Sequence, residues 1–360
     1  MADVQNLLAR ASANGTPVID GVQATFIWQG ETAPQLIADF NEWGSTEAIS
    51  MQETAPGVWT YTRSFPADAY IEYRFIADPD EPDEFTPDPL NADRVISNGV
   101  GSYNHFFYMP EGGPSPLRKR QRGVKRGRVT RHTLETYGYI AGKERAIWLY
   151  QPPTTDPVPL LLVYDGNDYR SRAGLVNVVD NLIAQGRMRP VALAMVANKM
   201  TVRMTEYNSG EMIIAFVMRF VLPLARQKLN LIDAATRPGA YGVLGASMGG
   251  LMALYTAMRM PHIFGHVVSQ SGAFLPFYDD AAPLYRVLID TFTNQPPLKI
   301  WLDVGRYEWL NQANQALQTL LQARGWDVTF HEFSAGHNYT AWANVLELAL
   351  PTVFAPLENA

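Results

Sequence analysis

A mostly parallel α/β sheet with helices on both faces, preceded by an all-β sandwich domain, is the fold class this sequence predicts. Three observations predict it. The chain has 360 residues, more than the ~150 of an ordinary domain, so two domains are expected. From about residue 21 to 110, short runs of alternating, aromatic or β-branched residues are separated by Pro, Gly, Asn and Asp, at the spacing of a sandwich. From about residue 133, apolar strand-like runs alternate with helical segments, the pattern of a parallel sheet covered by helices.

Residues 1–20 read as a short helix and a lead-in loop. Strands follow at 24–28, 35–38, 58–65 and 71–77. The Gly- and Pro-rich stretch 111–116 marks a boundary. The basic run RKRQRGVKRGRVTR (118–131) reads as a solvated linker leading into an edge strand. A sharper reading makes it an anion- or membrane-surface patch, or a wall attracting acidic esters. Beyond it, strands are expected at 147–151, 160–164, 191–196, 239–244, 266–270 and 299–304. Helices are expected at 175–185, 210–227, 249–260 and 309–324. The expected domains are a sandwich over 1–112, a basic linker over 113–132 and an α/β domain over 133–360.

Composition narrows the function. Hydrophobic residues make up 47% and charged residues 18%, as in a globular protein. A net charge of −6 gives no global reason to expect a nucleic-acid partner. With no cysteine, thiolate catalysis, disulfides and Cys-ligated metal are excluded. The N-terminus lacks a basic start followed by an apolar core, and no run of about 18 apolar residues occurs. A cytoplasmic location is the default expectation; an exported form with its signal trimmed reads the same.

Gly245-Ala246-Ser247-Met248-Gly249 is a G-x-S-x-G pentapeptide, extended by Gly250. The chemistry needs this spacing. A serine on a tight strand-to-helix turn is lifted above the sheet, and flanking glycines relieve crowding. The turn also aims the Met248 N–H, at a helix start, toward a developing oxyanion. Alone the motif is weak, recurring by chance in roughly one chain in ten of this length. Here an apolar run precedes it and a helix-forming segment follows, as the nucleophile elbow of an α/β-hydrolase requires.

Six histidines compete for the role of base. His105 lies in the β region, His132 beside the basic run, His262 at a helix end, and His266 and His331 in strands. His337 lies in the small Gly-containing loop SAGHNY (334–339), between a strand and a helix. A late histidine after the serine is the order of α/β-hydrolases. The acid is expected after a strand between the two. Glu308, three residues beyond Gly305, is favoured over Asp303 at the strand's end. A Ser–His dyad is the third possibility.

The apolar run 160–164 ends in Asp165-Gly166-Asn167-Asp168. The loop after that strand supplies the second oxyanion donor in this fold, so Asn167 N–H joins Met248 N–H. Asp165 reads as a loop pin. Arg203 is expected to reach the pocket or to pair with Glu206. Asp168 is a further substrate-binding candidate, and Trp342 is either an aromatic wall or core.

Taken together, these residues resemble the esterase family that contains enterochelin esterases, feruloyl esterases, S-formylglutathione hydrolases and antigen 85 acyltransferases. YDGND (164–168), RMTEYN (203–208), GASMGG (245–250), LDVGRYEWL (302–310) and SAGHNYTAW (334–342) carry the resemblance over most of 140–355. The enterochelin-esterase-like branch looks most similar. FIWQG (26–30), ADFNEW (38–43), GVWTYTRSFP (57–66), YRFIAD (73–78) and PDPLN (87–91) resemble its early-set immunoglobulin-like domain. ADFNEW and Trp59 also resemble glucan-binding modules. Ala335 stands where family members often carry Gly.

The resemblance implies a serine esterase acting through an acyl-enzyme on catecholate- or hydroxycinnamate-like esters, such as siderophore esters. No metal or organic cofactor is expected. One rival is a carbohydrate-targeted protein in which Trp28, Trp43 and Trp59 stack on sugar rings. Another is acyl transfer to an alcohol by the same residues. Substrate identity and oligomeric state are not written in the sequence.

Overall fold

The computed structural model describes residues 2–46, 49–78, 80, 84, 86–99, 101–275, 283–292 and 296–356. By spatial clustering the chain forms two units. The first comprises Met1–Gly113 with Gly305–Trp309 and Phe333–Ala341; the second comprises Pro114–Val304 with Leu310–Glu332 and Trp342–Ala360.

The first unit opens with helix α1 (Ala2–Asn14). Strands β1 (Val18–Asp20), β2 (Gln23–Gln29), β3 (Gln35–Ala38), β4 (Gln52–Ala55), β5 (Val58–Ser64), β6 (Tyr70–Ile76), β7 (Val95–Ser97) and β8 (Tyr103–Tyr108) follow. They form two antiparallel four-stranded sheets, ordered β1-β2-β5-β4 and β3-β6-β8-β7. Alternation decides which side chains turn inward. Phe26 on β2, Tyr73 and Phe75 on β6 and Phe107 on β8 are fully buried in one aromatic core. Phe26 meets Tyr73 edge-on at 5.0 Å and Phe107 at 5.7 Å, contacts worth about 0.5–1.5 kcal/mol each beyond the area they bury. Trp28 and Trp59, cross-strand partners on β2 and β5, pack against this core. Trp28 lies 5.2 Å from Phe75, and Trp59 donates to Gly30 O at 3.1 Å.

The second unit is built on strands β9 (Arg128–Glu135), β10 (Glu144–Gln151), β11 (Leu160–Val163), β12 (Ala192–Val196), β13 (Tyr241–Ala246), β14 (Phe264–Gln270), β15 (Lys299–Gly305) and β16 (Asp327–Phe333). Their order is β16-β15-β14-β13-β11-β12-β10-β9. The strands β12, β11, β13, β14 and β15 run parallel, with β10 and β9 added antiparallel. Strands β11, β12 and β13 are buried along their whole length, which is why they read as continuous apolar runs. Helices α2 (Gly166–Ser171), α3 (Leu175–Ala184), α4 (Arg203–Tyr207), α5 (Glu211–Phe216), α6 (Leu222–Lys228), α7 (Met248–Arg259), α8 (Leu284–Thr291), α9 (Asn311–Ala323) and α10 (Tyr339–Val353) complete the chain. On α3, Leu175, Val178, Val179 and Leu182 form the buried stripe.

Two expectations are corrected. The segment 210–227 is not one regular helix: a π-helical turn, Val217–Val221, separates α5 from α6. Pro223 lacks the N–H that would continue the ladder, and its ring crowds the preceding turn. The expected linker also ends early, because β9 begins at Arg128. Its charges point outward on an edge strand, where they discourage pairing with another chain. Among the described residues no single helix is long and apolar enough to cross a membrane.

Candidate active site

In the second unit, Ser247 occupies the junction between β13 and α7, half-buried, with φ 57° and ψ −123°. A non-glycine residue held there stores about 1–3 kcal/mol of strain. Backbone bonds hold it in place. Ser247 N–H donates to Gln270 O at 2.9 Å, and Ser247 O accepts from Gly250, Leu251 and Ala273 N–H at 2.9, 3.1 and 3.0 Å. The flanking glycines are there because nothing else fits. A Cβ at Gly245 would lie 2.1 Å from Gly249 O, and one at Gly249 would lie 2.7 Å from Asp165 Oδ2. Met248 N–H stands in the first turn of α7, where backbone donors lack intrahelical acceptors and the helix dipole is positive.

The loop after β11 lies beside this elbow because β11 and β13 are neighbours. Asp165 takes a left-handed conformation, φ 53° and ψ 39°. Its carboxylate accepts from Arg203 Nε at 2.8 Å, Arg203 Nη2 at 2.6 Å and Asn198 Nδ2 at 2.7 Å. Arg203 Nη2 also donates to Ala246 O at 3.0 Å, the carbonyl just before Ser247. Arg203 thus ties the loop to the elbow. This corrects the expected Arg203–Glu206 pair: Glu206 instead forms a buried fork with Arg145 at 2.8 and 2.9 Å and accepts from Ala141 N–H. Asn167 sits in the first turn of α2, with its side chain braced by Asn198 and Asp168. Asp168 accepts from Asn198 Nδ2 at 2.9 Å. Burial raises its carboxyl above the ordinary carboxylate range. Trp342 lies in the core, 4% exposed, with Nε1 donating to Ser271 Oγ at 2.8 Å.

The competing carboxylates separate cleanly. Asp303 is fully buried in the second unit, and its Oδ2 accepts from Trp301 Nε1 at 2.7 Å and Gln270 Nε2 at 3.1 Å. In the first unit, Glu308 Oε1 accepts from Gly305 N–H, and Glu308 Oε2 is hydrogen-bonded to His337 Nδ1. A carboxylate acceptor puts the imidazole proton on Nδ1, so Nε2 is the basic nitrogen. The Trp309 ring lies 4.7 Å from that of His337. Sequence reasoning missed Trp309, Asn198 and Asp39, a buried acid packed against Gly336. For Trp309 the available signal was its place one residue after the favoured acid. Among the described residues no group of three or more His, Asp or Glu side chains converges as metal ligands would.

Comparison with known proteins places this arrangement. A family model described as Putative esterase matches residues 139–353. An iron(III) enterobactin esterase of Dickeya dadantii is 30% identical over 280 residues, covering 71% of this chain and 62% of that protein. An iron(III) salmochelin esterase of Escherichia coli is 27% identical over 230 residues, covering 60% and 56%. The match thus spans less than two thirds of the length of either relative. The crystal structure of an enterobactin esterase from Shigella flexneri superposes with a TM-score of 0.74 at 20% identity, covering 93% of this chain and 94% of that one. At that identity the likeness speaks for the fold. The match over residues 139–353, with a strained serine at its elbow, assigns the chain: it belongs to the Putative esterase family.

Proposed function

We propose that this protein is a serine carboxylic-ester hydrolase that works through an acyl-enzyme, with Ser247 as nucleophile, His337 as base and Glu308 as the acid that orients it. The observation that carries this reading is the Ser247 backbone, held at φ 57° and ψ −123° between a strand and a helix. The Glu308–His337 hydrogen bond supports it. In the proposed cycle Ser247 Oγ attacks the ester carbonyl and passes its proton to His337 Nε2. The N–H groups of Met248 and Asn167 receive the oxyanion. Glu308 holds the Nδ1 proton and stabilises the imidazolium. His337 then protonates the leaving alcohol, and a water activated by the same nitrogen releases the acid.

Aromatic esters of the siderophore type are the proposed substrates. The support is the printed specificity of the relatives, an enterobactin esterase and a salmochelin esterase. A panel of catecholate trilactone, methyl ferulate, acetylated xylan and p-nitrophenyl acetate tests both parts. The expected result is preference for the trilactone, with every activity lost in Ser247→Ala, a fall on the order of 10⁶ in kcat. Turnover retained by Ser247→Ala overturns the mechanism. Preference for acetylated xylan overturns the substrate class.

A further inference from the structure

The Glu308–His337 pair is embedded in the sandwich unit. Residues 305–309 and 333–341 cluster with the N-terminal strands. Tyr70 N–H on β6 donates to Ser334 O at 3.0 Å. Tyr307 N–H donates to Ala335 O at 3.1 Å, and the Tyr307 ring meets Phe65 edge-on at 6.0 Å. Both loops are therefore tied to each other and to the sandwich.

At the centre of these contacts is Asp39, 2% exposed. A Cβ placed on Gly336 would lie 2.1 Å from Asp39 Oδ1 and 2.2 Å from its Cγ. The carboxyl therefore rests directly on the backbone that precedes His337. Asp39 Oδ2 accepts from Glu72 N–H at 2.8 Å. Asp39 opens a tight turn in which Glu42 and Trp43 hold positive φ values of 48° and 57°. Asn41 pins that turn, accepting from Ala38 N–H at 2.8 Å and donating to Leu36 O at 3.2 Å. Strained non-glycine conformations persist where the surroundings over-determine them. Burial, then the nearby Glu72, holds the Asp39 carboxyl well above the usual carboxylate range.

We propose that Asp39 is a positioning residue that buttresses Gly336 and so keeps His337 in hydrogen-bonding register with Glu308. This rests on the reading of Glu308 and His337 as the acid–base pair.

Full-length Asp39→Ala, Asp39→Asn, Gly336→Ala, the double variant and His337→Asn test it with a p-nitrophenyl ester. Misplacing a catalytic group by about 1 Å is worth on the order of 10²-fold. Asp39→Ala is therefore expected to lower kcat about 10- to 100-fold while leaving KM within a few-fold. Asp39→Asn keeps an acceptor for Glu72 N–H and the bulk against Gly336, and should restore kcat. The far-downfield proton resonance of His337 Nδ1–H should vanish in the alanine variant and persist in the asparagine variant. Gly336→Ala should be impaired alone and partly rescued by Asp39→Ala, which makes room for the methyl. Wild-type kcat in Asp39→Ala, or a loss confined to KM, overturns the proposal; if His337→Asn is inactive in the same assay, the acid–base reading stands. An active His337→Asn overturns the reading itself. If Asp39→Ala does not fold, Gly336→Ala decides alone: wild-type kcat there overturns the proposal.

Discussion

Glu308 and Asp303 are both buried acids near the end of one strand, and they have different hydrogen-bond partners. Glu308 faces His337, whereas Asp303 holds Trp301 and Gln270. Glu308→Gln should therefore lower kcat by on the order of 10³–10⁴, because the amide favours the wrong imidazole tautomer. Asp303→Asn should lower kcat far less and show mainly as lost stability. Steady-state kinetics and urea titration of the two variants check this; equal catalytic losses would contradict it. The sequence favoured Glu308 because it follows Gly305 past the strand, but spacing alone left Asp303 open. Arg203 illustrates the limit. Spacing suggested Glu206, three residues on, while the actual partner, Asp165, lies in a distant loop. A partner supplied by sheet topology leaves no mark in local sequence. Asp39 was equally hidden, because its contact with Gly336 joins residues remote in sequence.

Among the elements, the elbow was the most legible, because its glycines are demanded by contacts rather than by propensity. The methyl of Gly249→Ala would press on Asp165 Oδ2. The expected loss is about 1–3 kcal/mol from overpacking, with a matching loss of turnover as the loop shifts. Urea unfolding beside initial rates reads both; a fully stable and active variant would contradict the packing account. Arg145 and Glu206 brace strand β10 against helix α4, with side chains 3% and 6% exposed. Arg145→Met leaves a buried carboxylate unpaired and should destabilise by about 3–5 kcal/mol. Truncating Arg259, in the exposed pair with Glu211, should change stability by less than about 1 kcal/mol. Strands with clear alternation were placed within a few residues. The π turn before Pro223 was not, since hydrophobic periodicity barely registers one extra residue in a turn. Strand β9 was half visible: its charges looked like a linker because an edge strand is solvated on its open side.

Over the whole molecule, the two textures of the sequence, short aromatic strands and then alternating β and α, correspond to the sandwich and the eight-stranded sheet. The assignment of residues 305–309 and 333–341 to the sandwich unit was not legible, because it depends on contacts remote in sequence. Stability of the sandwich should depend on pH through His105. Its Nε2 accepts from Asp88 N–H at 2.8 Å, so the folded state needs it neutral, and burial lowers its affinity for a proton. The unfolded chain therefore binds the proton first as pH falls below about 6.5. Stability should fall from there down to the lowered folded value and be insensitive to this group at pH well above 6.5, roughly the unfolded value. Asp39, raised on folding, acts with the opposite sign, so the comparison to make is between the parent and His105→Gln. Urea titrations from pH 7.5 to 5.5 should give a shallower acid-side decline in the variant; identical slopes would contradict the assignment. The most direct test of the central claim is covalent. After reaction with a fluorophosphonate, intact-mass analysis and peptide mapping of the full chain should show one adduct, on the peptide containing Ser247, and none in Ser247→Ala. An adduct on another serine, or turnover surviving complete modification of Ser247, would contradict it.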